Sequence, residues 1–136
     1  MNNVTSPRTD DQGIEQMIQA KGKTAPRVTP ADIKANIKSE HYFIAADAAG
    51  LPPVKGVDYI PPREVSPLDL LTICVLVLQN GFTIIGESAC ASPENFDAEI
   101  GQHAARENAI QKMWPLMGYA LKEQLYQRIQ PANAPE

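Results

Sequence analysis

Residues 68–114 read LDLLTICVLVLQNGFTIIGESACASPENFDAEIGQHAARENAIQKMW, and this stretch decides the fold. An apolar run at 70–78 is followed by Asn80-Gly81 and by a second apolar run at 82–85. Asn-Gly between two such runs predicts a two-residue type I′ turn, whose central residues both need positive φ. Ser92-Pro93 then opens a helical pattern, because serine can cap backbone N–H groups and proline lacks one. The expected core is therefore a β-hairpin that leads into a long helix.

A two-residue turn would divide the hairpin side chains between an apolar face and a mixed face. One helix layer can cover only one of these faces in a chain of 136 residues. The mixed face would then be an exposed apolar patch unless a second copy covers it, so we expect the chain to associate with itself. The predicted apolar face holds Leu71, Ile73, Val75, Val77, Phe82 and Ile84, and the predicted mixed face holds Thr72, Cys74, Leu76, Leu78, Thr83, Ile85 and Glu87.

The flanking segments differ from this core in composition. Residues 1–28 are polar and are expected to form a disordered arm, because they can bury little apolar surface. Residues 29–130 are expected to form a single α+β domain, within which the proline-rich stretch 50–67 is an extended surface loop. Residues 131–136 are expected to be a disordered tail.

A second helix start is expected at Thr29. Thr29 is placed to cap the helix and Pro30 to occupy its first turn, and Ile33 and Ile37 would share one face as far as about Ser39. The apolar cluster at 42–44 fits either a further helical turn or an edge strand, and the pattern leaves both open.

The long C-terminal helix is expected to begin at Pro93. Pro115 should kink or break it, because proline removes a backbone donor. The predicted fold class is α+β, an antiparallel β-hairpin-based sheet packed on a long kinked C-terminal helix, with a short N-terminal helix. The expected buried stripe of the long helix is Phe96, Ile100, Ala104, Ile110, Trp114, Met117, Leu121 and Leu125.

Composition excludes several classes of partner. The net charge of -4 gives no electrostatic support for binding DNA or an anionic membrane. No apolar run is long enough to span a bilayer and no signal-peptide core is visible, so we expect a soluble protein located in the cytoplasm. Cys74 would face Glu87 across the hairpin rather than Cys90, so no disulfide is expected. Two histidines exclude a histidine-rich metal site, and no cofactor motif is present.

The chain contains no recognised catalytic motif, so candidate binding residues are chosen by the chemistry of their side chains. Arginine can bind a phosphate bidentately, amides can hydrogen-bond a ligand, and an aromatic ring can stack on a base. Strand-to-helix turns also direct backbone N–H groups towards anions. The predicted ligand-binding residues are Phe82, Glu87, Ser88, Asn95, Arg106 and Arg63, with no catalytic or metal-binding residue. Two of them have a plainer interpretation, namely core packing for Phe82 and a solvated position on the helix for Arg106.

An acid–base pair is the alternative chemistry that the helix offers. His103 and Glu107 lie four residues apart, close to the apolar stripe. They could act on a bound ligand, although a pair on the helix surface at the rim of the core is the simpler interpretation.

The chain also carries a dense signature. Its parts are N-G-F at 80–82, G-E-S-A-C at 86–90, S-P-E-N-F-D-A-E-I-G at 92–101 and K-x-W-P-L-x-G-Y at 112–119. In these motifs the chain resembles a widespread family of small phage and prophage proteins. It is also similar in size and arrangement to the Thoeris anti-defence sponge proteins of the first type. That resemblance implies a homodimer or a higher symmetric oligomer that sequesters cyclic ADP-ribose isomers and, for some members, cyclic oligonucleotides.

Three hypotheses of function follow. The first is a non-enzymatic phage anti-defence protein that binds and sequesters a cyclic nucleotide immune signal. The second is an enzyme that degrades a nucleotide through His103 and Glu107. The third is a phage interaction or regulatory protein without a small ligand. The missing catalytic motifs disfavour the second, whereas sequence does not separate the first from the third.

Overall fold

A computed structural model of the chain describes residues 11–23, 25–56 and 63–129. Within these ranges, the residues up to Asn36 together with those from Trp114 onwards form one compact unit, and Ile37–Met113 form a second. The elements in chain order are α1 (Asp11–Ala20), α2 (Pro30–Ala35), β1 (Ile37–Ile44), α3 (Ala45–Ala48), β2 (Leu71–Leu78), β3 (Thr83–Ala89) and α4 (Ala98–Ile129), with 3₁₀ turns at Pro67–Leu70 and Pro93–Asn95.

The second unit is built on a three-stranded antiparallel sheet in the order β1-β2-β3. The cluster at 42–44, which the sequence left open, belongs to β1. Because β1 already begins at Ile37, the predicted helix to Ser39 is wrong beyond Ala35. The central strand β2 thus has a neighbour on each side, and the predicted hairpin is two thirds of the sheet.

The turn between β2 and β3 has three residues, so the predicted two-residue type I′ turn is wrong. Leu78 N–H donates to Phe82 O over 2.8 Å, and Gly81 N–H donates to Leu78 O over 2.9 Å. Gly81 has φ +90°, while no non-glycine among the described residues has positive φ, so Asn80 lacks the conformation that type I′ requires. Instead, the Asn80 side-chain oxygen accepts from Phe82 N–H over 2.9 Å.

This one-residue difference moves every side chain of β3 to the other face relative to β2. Leu76 pairs with Ile84 rather than Ile85, and Cys74 pairs with Gly86 rather than Glu87. The β2 residues of the predicted mixed face lie in the core, whereas its β3 residues Thr83, Ile85 and Glu87 are exposed on the opposite face. Substitution of the buried Leu76 therefore cannot test self-association. The buried side chains of β2 and β3 are Thr72, Cys74, Leu76, Leu78 and Ile84, whereas Leu71, Ile73, Val75, Val77 and Ile85 lie on the opposite face and are partly exposed.

The helix α4 packs on the sheet through its smallest residues. Gly101, Ala105 and Ala109 are buried at successive turns, and a Cβ at Gly86 would lie only 2.5 Å from Ala109 N. The predicted buried stripe is wrong for this part of the helix, because it consists mainly of large residues and the contact with the sheet accommodates only small ones. Ile100 in particular is 68% exposed. Ile110 and Met113 complete the buried face of this part of the helix.

The ends of α4 also differ from the sequence prediction. Pro93 opens a 3₁₀ turn, and Ser92 makes no side-chain cap hydrogen bond. Asp97 caps α4 instead, since its carboxylate accepts from Ile100 N–H over 2.9 Å. The helix continues through Pro115 to Ile129, so it does not break there.

The first unit contains a helix where a disordered arm was predicted. Two side chains from outside α1 bind it. Trp114 Nε1–H donates to the Asp11 carboxylate over 3.0 Å, and Arg27 donates to both oxygens of Glu15 over 2.6 and 2.8 Å. These partners lie far along the chain, so local composition does not reveal them. The capping box of Thr29 and Asp32 at α2 confirms the predicted helix start.

The fold class is α+β, as predicted. It comprises an antiparallel sheet, a short N-terminal helix and a long C-terminal helix. In the part of the chain that the structure describes, no helix combines the length and the apolar character needed to cross a bilayer. The predicted disorder of 1–10 and of the tail lies outside the described residues.

Candidate functional site

The polar cluster of greatest chemical interest joins α4 to β1. Arg106 Nε–H donates to Glu40 Oε1 over 3.1 Å, and the Tyr42 hydroxyl donates to the same oxygen over 2.7 Å. Glu40 and Tyr42 pair across the sheet with Leu76 and Cys74, so they lie on the face that α4 covers. The cluster is only partly shielded, with 29% of the Arg106 side chain and 33% of the Glu40 side chain exposed.

The electrostatics of this cluster follow from its hydrogen bonds and burial. The Arg106 guanidinium holds the pKa of Glu40 below its ordinary value, which keeps the carboxylate ionised. Burial, reinforced by the bond to Glu40, raises the pKa of Tyr42, so its hydroxyl remains a donor. Burial also raises the pKa of the Cys74 thiol, which is fully inaccessible and therefore unsuited to nucleophilic chemistry.

Arg106 is held at one edge only. Its hydrogen bond uses Nε, and among the described residues no acceptor contacts its terminal amino groups. A guanidinium fixed in this way can still present two N–H groups in a plane to a phosphate. Glu40 opposes an anion through its charge, while it also fixes the direction in which the guanidinium points.

Arg63, the second predicted phosphate ligand, is engaged on every nitrogen that could donate. Its terminal amino groups donate to both oxygens of Asp69 over 2.7 and 2.8 Å, and its Nε donates to Pro52 O over 2.5 Å. Hydrogen bonds from Arg63 and from Ser66 N–H lower the pKa of Asp69 to about 2. The ion pair of Arg63 and Asp69 joins the proline-rich loop to the 3₁₀ turn before β2. A phosphate could bind Arg63 only by displacing Asp69.

Glu87 and Ser88 lie on β3, at the other edge of the sheet from the Arg106 cluster. Glu87 is exposed, and its backbone N–H donates to the Asn108 side chain over 3.0 Å. Ser88 pairs with Thr72 and is half-buried on the helix-covered face. The backbone here is already satisfied by α4, so the predicted anion-binding turn is not available at Glu87.

Phe82 and Asn95 lie at two further places. Phe82 is 52% exposed beside the hairpin turn, and Asn95 is exposed in the 3₁₀ turn before α4. Arg63 binds Asp69 just before β2 begins, whereas Phe82 pairs with Leu78, where β2 ends. The two side chains are therefore separated by the length of β2, which is roughly 23 Å. The structure thus does not bring the six predicted residues into one site within a single protomer.

His103, the predicted partner of Glu107 in an acid–base pair, lies on the helix surface. Its Nε2 is 3.9 Å from the carboxylate of Glu99, and 76% of its side chain is exposed. Among residues 11–23, 25–56 and 63–129, no cluster of three or more His, Cys, Asp or Glu could hold a metal ion.

A separate apolar cavity of about 150 Å³ lies within the first unit. Trp114 forms one wall, and its indole N–H is already bonded to Asp11. The Arg27 hydrogen bond is the main cause that lowers the pKa of Glu15, another lining residue, to about 2. The remaining lining is aliphatic, contributed by Ile14, Ile18, Val28 and Pro30.

The sequence indicated Arg106 as a candidate binding residue but did not indicate Glu40 and Tyr42, which complete the cluster. Glu40 and Tyr42 alternate along β1, which places them on one face, but this signal is usable only once 37–44 is known to be a strand. The unresolved choice between helix and strand at 42–44 therefore concealed the cluster.

The comparisons with known proteins agree with the phage resemblance at the level of family. No curated protein and no solved structure matches the chain. A family model matches residues 28–125, which include α2, the sheet and most of α4, while α1 lies outside the match. The chain therefore belongs to the phage protein family described as N4 Gp49/phage Sf6 gene 66.

Proposed function

We propose that this phage protein binds a cyclic nucleotide immune signal, such as a cyclic ADP-ribose isomer, and sequesters it without degrading it. Membership of a phage family supports the viral setting. The resemblance in size and arrangement to the anti-defence sponges supports this class of ligand. The observation that carries the proposal is Arg106, whose guanidinium is fixed through Nε and presents its other N–H groups at a partly exposed position.

The chemistry required of the site is limited. A diphosphate needs charge-assisted donors, and Arg106 supplies a planar pair of them. Tyr42 keeps its proton and orients Glu40, while Glu40 orients Arg106, so the guanidinium is positioned before the ligand arrives. No step of bond cleavage is included, because sequestration needs only binding.

Titration calorimetry with cyclic ADP-ribose tests this assignment. Arg106→Ala should weaken binding by about 1.5–3 kcal/mol, which is roughly tenfold or more in Kd. The exposed Arg128 at the end of α4 offers a matched control, and Arg128→Ala should bind as the parent does. Equal affinity of Arg106→Ala and the parent would refute the site.

Glu40→Gln separates a ligand site from a purely structural ion pair. The amide oxygen still accepts from Tyr42 and Arg106, but the negative charge beside the phosphates is removed. Binding should therefore tighten by about 1 kcal/mol, or roughly fivefold, at low salt. Unchanged or weaker binding of Glu40→Gln would contradict an anionic ligand beside Arg106.

The same pair contributes to folding, which must be measured alongside binding. Arg106→Ala breaks a partly exposed ion pair and should lower the free energy of unfolding by about 1 kcal/mol. That loss leaves the protein folded at assay temperature. A binding defect in a fully folded variant is then attributable to the lost contact.

A further inference from the structure

The apolar cavity of the first unit has the size of a single ring and is open to solvent. Its volume of about 150 Å³ is roughly that of an apolar cavity that holds one benzene molecule. None of its aliphatic lining residues is fully buried, and Ile14 is 48% exposed. A small molecule can therefore reach the cavity while α1 stays in place.

Trp114 gives the cavity an aromatic wall that is held by a hydrogen bond. Its indole N–H donates to the carboxylate of Asp11, which lies in the first turn of α1. An indole packs well against another ring, and it attracts a cation more strongly than the other aromatic side chains do. Together with the aliphatic lining, Trp114 therefore favours a ligand that is flat, apolar and positively charged at one end.

The charged residues of the lining are both carboxylates, Asp11 and Glu15, and no basic side chain in the described part of the chain lines the cavity. Arg27 donates to both oxygens of Glu15, and Gln19 donates to one of them over 2.8 Å. These bonds, chiefly those of Arg27, lower the pKa of Glu15 to about 2, so it is ionised at neutral pH and already matched by a cation. Asp11 accepts from the neutral indole of Trp114, and a carboxylate can accept about four hydrogen bonds. The cavity therefore disfavours an anion, and Asp11 is the group to which a bound cation can donate.

We propose that this cavity binds a small aromatic amine, that is, a single ring that carries a primary ammonium group. The ring packs against Trp114 and the aliphatic side chains, and the ammonium group donates to the Asp11 carboxylate. Charge-assisted hydrogen bonds are about twice as strong as neutral ones, so the amine is preferred to an uncharged ring of the same shape. The inference does not depend on the proposed nucleotide site, because Arg106 belongs to the second unit.

Benzylamine is the probe, and NMR of the Trp114 indole N–H follows its binding. The chain has one tryptophan, so a single indole cross-peak reports on the cavity. At neutral pH benzylamine should shift this peak until it saturates, with a Kd on the order of 1 mM, as expected of so small a ligand. Benzyl alcohol and benzoate present the same ring without a positive charge, and both should bind about tenfold more weakly or not at all. This comparison uses the parent protein alone, so it does not rely on any variant.

Asp11→Asn separates the charge of the cavity from its shape. The amide oxygen still accepts from Trp114, but benzylamine should bind about tenfold more weakly, while benzyl alcohol should bind as it does to the parent. Asp47→Asn is the matched control, since it removes an exposed carboxylate from α3 in the second unit and should leave the Kd unchanged. Ile14→Ala removes part of the apolar lining and should weaken benzylamine and benzyl alcohol alike. Circular dichroism at 222 nm checks that α1 is retained in each variant.

Three results would overturn the proposal. The first is the absence of a saturable shift of the indole cross-peak with benzylamine at about 20 mM, well above the expected Kd. The second is equal affinity of the parent for benzylamine and benzyl alcohol, which would remove the role of charge. The third is equal affinity of Asp11→Asn and the parent for benzylamine, which would remove Asp11 as the partner of the ammonium group. Arg106→Ala should leave benzylamine binding unchanged, so failure of the nucleotide site and failure of this cavity are distinguishable.

Discussion

Gly86→Ala should destabilise the protein more than any other exchange of a described glycine for alanine in the sheet or α4. A Cβ at this position would lie 2.5 Å from Ala109 N and 2.7 Å from Ala109 Cβ, and closer still to the carbonyl oxygen of Ala105. Non-bonded carbon atoms pack at about 3.5–4.0 Å. Because two of these contacts are helix backbone, which cannot rotate away, α4 must move outward by about 1 Å.

The cost can be worked out by comparison with two other glycines. Overpacking of a core costs about 1–3 kcal/mol, and we expect at least the upper end for Gly86→Ala because backbone has to shift. At Gly101 the nearest atom is Thr72 Oγ1 at 2.6 Å, a side-chain atom that can turn, so the loss should be smaller. At Gly118 nothing lies within 4 Å, and alanine should stabilise the helix by about 0.5–1 kcal/mol.

Urea unfolding followed by far-ultraviolet circular dichroism measures all three variants. The expected order of stability is Gly118→Ala, parent, Gly101→Ala and Gly86→Ala. Ordinary surface substitutions change the free energy of unfolding by up to about 0.5 kcal/mol. If Gly86→Ala changes it by no more than this, the close approach of β3 and α4 is refuted.

Further predictions concern the polar contacts. The pKa of Asp69, about 2 in the folded protein against an ordinary 3.8, lies below its unfolded value, so its contribution to stability is complete above pH 4 and is lost as the pH falls towards 2. Acid unfolding of Asp69→Asn should therefore depend less on pH in that window than that of the parent, and an identical pH dependence would contradict the pairing. Asn108→Ala should accelerate hydrogen exchange of the Glu87 amide, as followed by NMR, and unchanged protection would show that this amide has another acceptor. Trp114→Phe removes the donor to Asp11 and should reduce ellipticity at 222 nm, because a helix as short as α1 is marginal without tertiary contacts; full parental ellipticity would mean that other contacts hold α1.

The sequence predicted those elements that local chemistry determines. Thr29 caps α2 through a capping box, and the two apolar runs form adjacent antiparallel strands. The long helix was also predicted, although Asp97 rather than Ser92 caps it. Each of these depends on residues within a few positions of one another.

The faces of the hairpin could not be predicted, because they depend on the φ of one residue. Asn80 supports either a type I′ turn or a loop in which only Gly81 has positive φ, and the choice moves every side chain of a strand to the other face. The buried face of α4 could not be predicted for the same reason, because it depends on which residues of the hairpin face the helix. Ala105 and Ala109 have little apolar character of their own and are buried because Gly86 lets the backbones approach.

Much of the signature is accounted for by the fold. Gly81 forms the turn, Gly86 and Gly101 permit close packing, and Asp97 caps α4. Lys112 satisfies the edge of β3. These motif positions therefore have structural reasons to be what they are, while Arg106, which lies between the motifs, remains the candidate for ligand binding.

The most direct test of sequestration is the fate of the ligand after binding. The purified protein is incubated with cyclic ADP-ribose, separated from unbound ligand by filtration, and denatured by heat, and the released molecule is identified by mass spectrometry. The account predicts that intact cyclic ADP-ribose is retained by the parent, released on heating and recovered in stoichiometric amount. Recovery of an altered nucleotide would establish an enzyme, and passage of all the ligand through the filter before heating would contradict binding altogether.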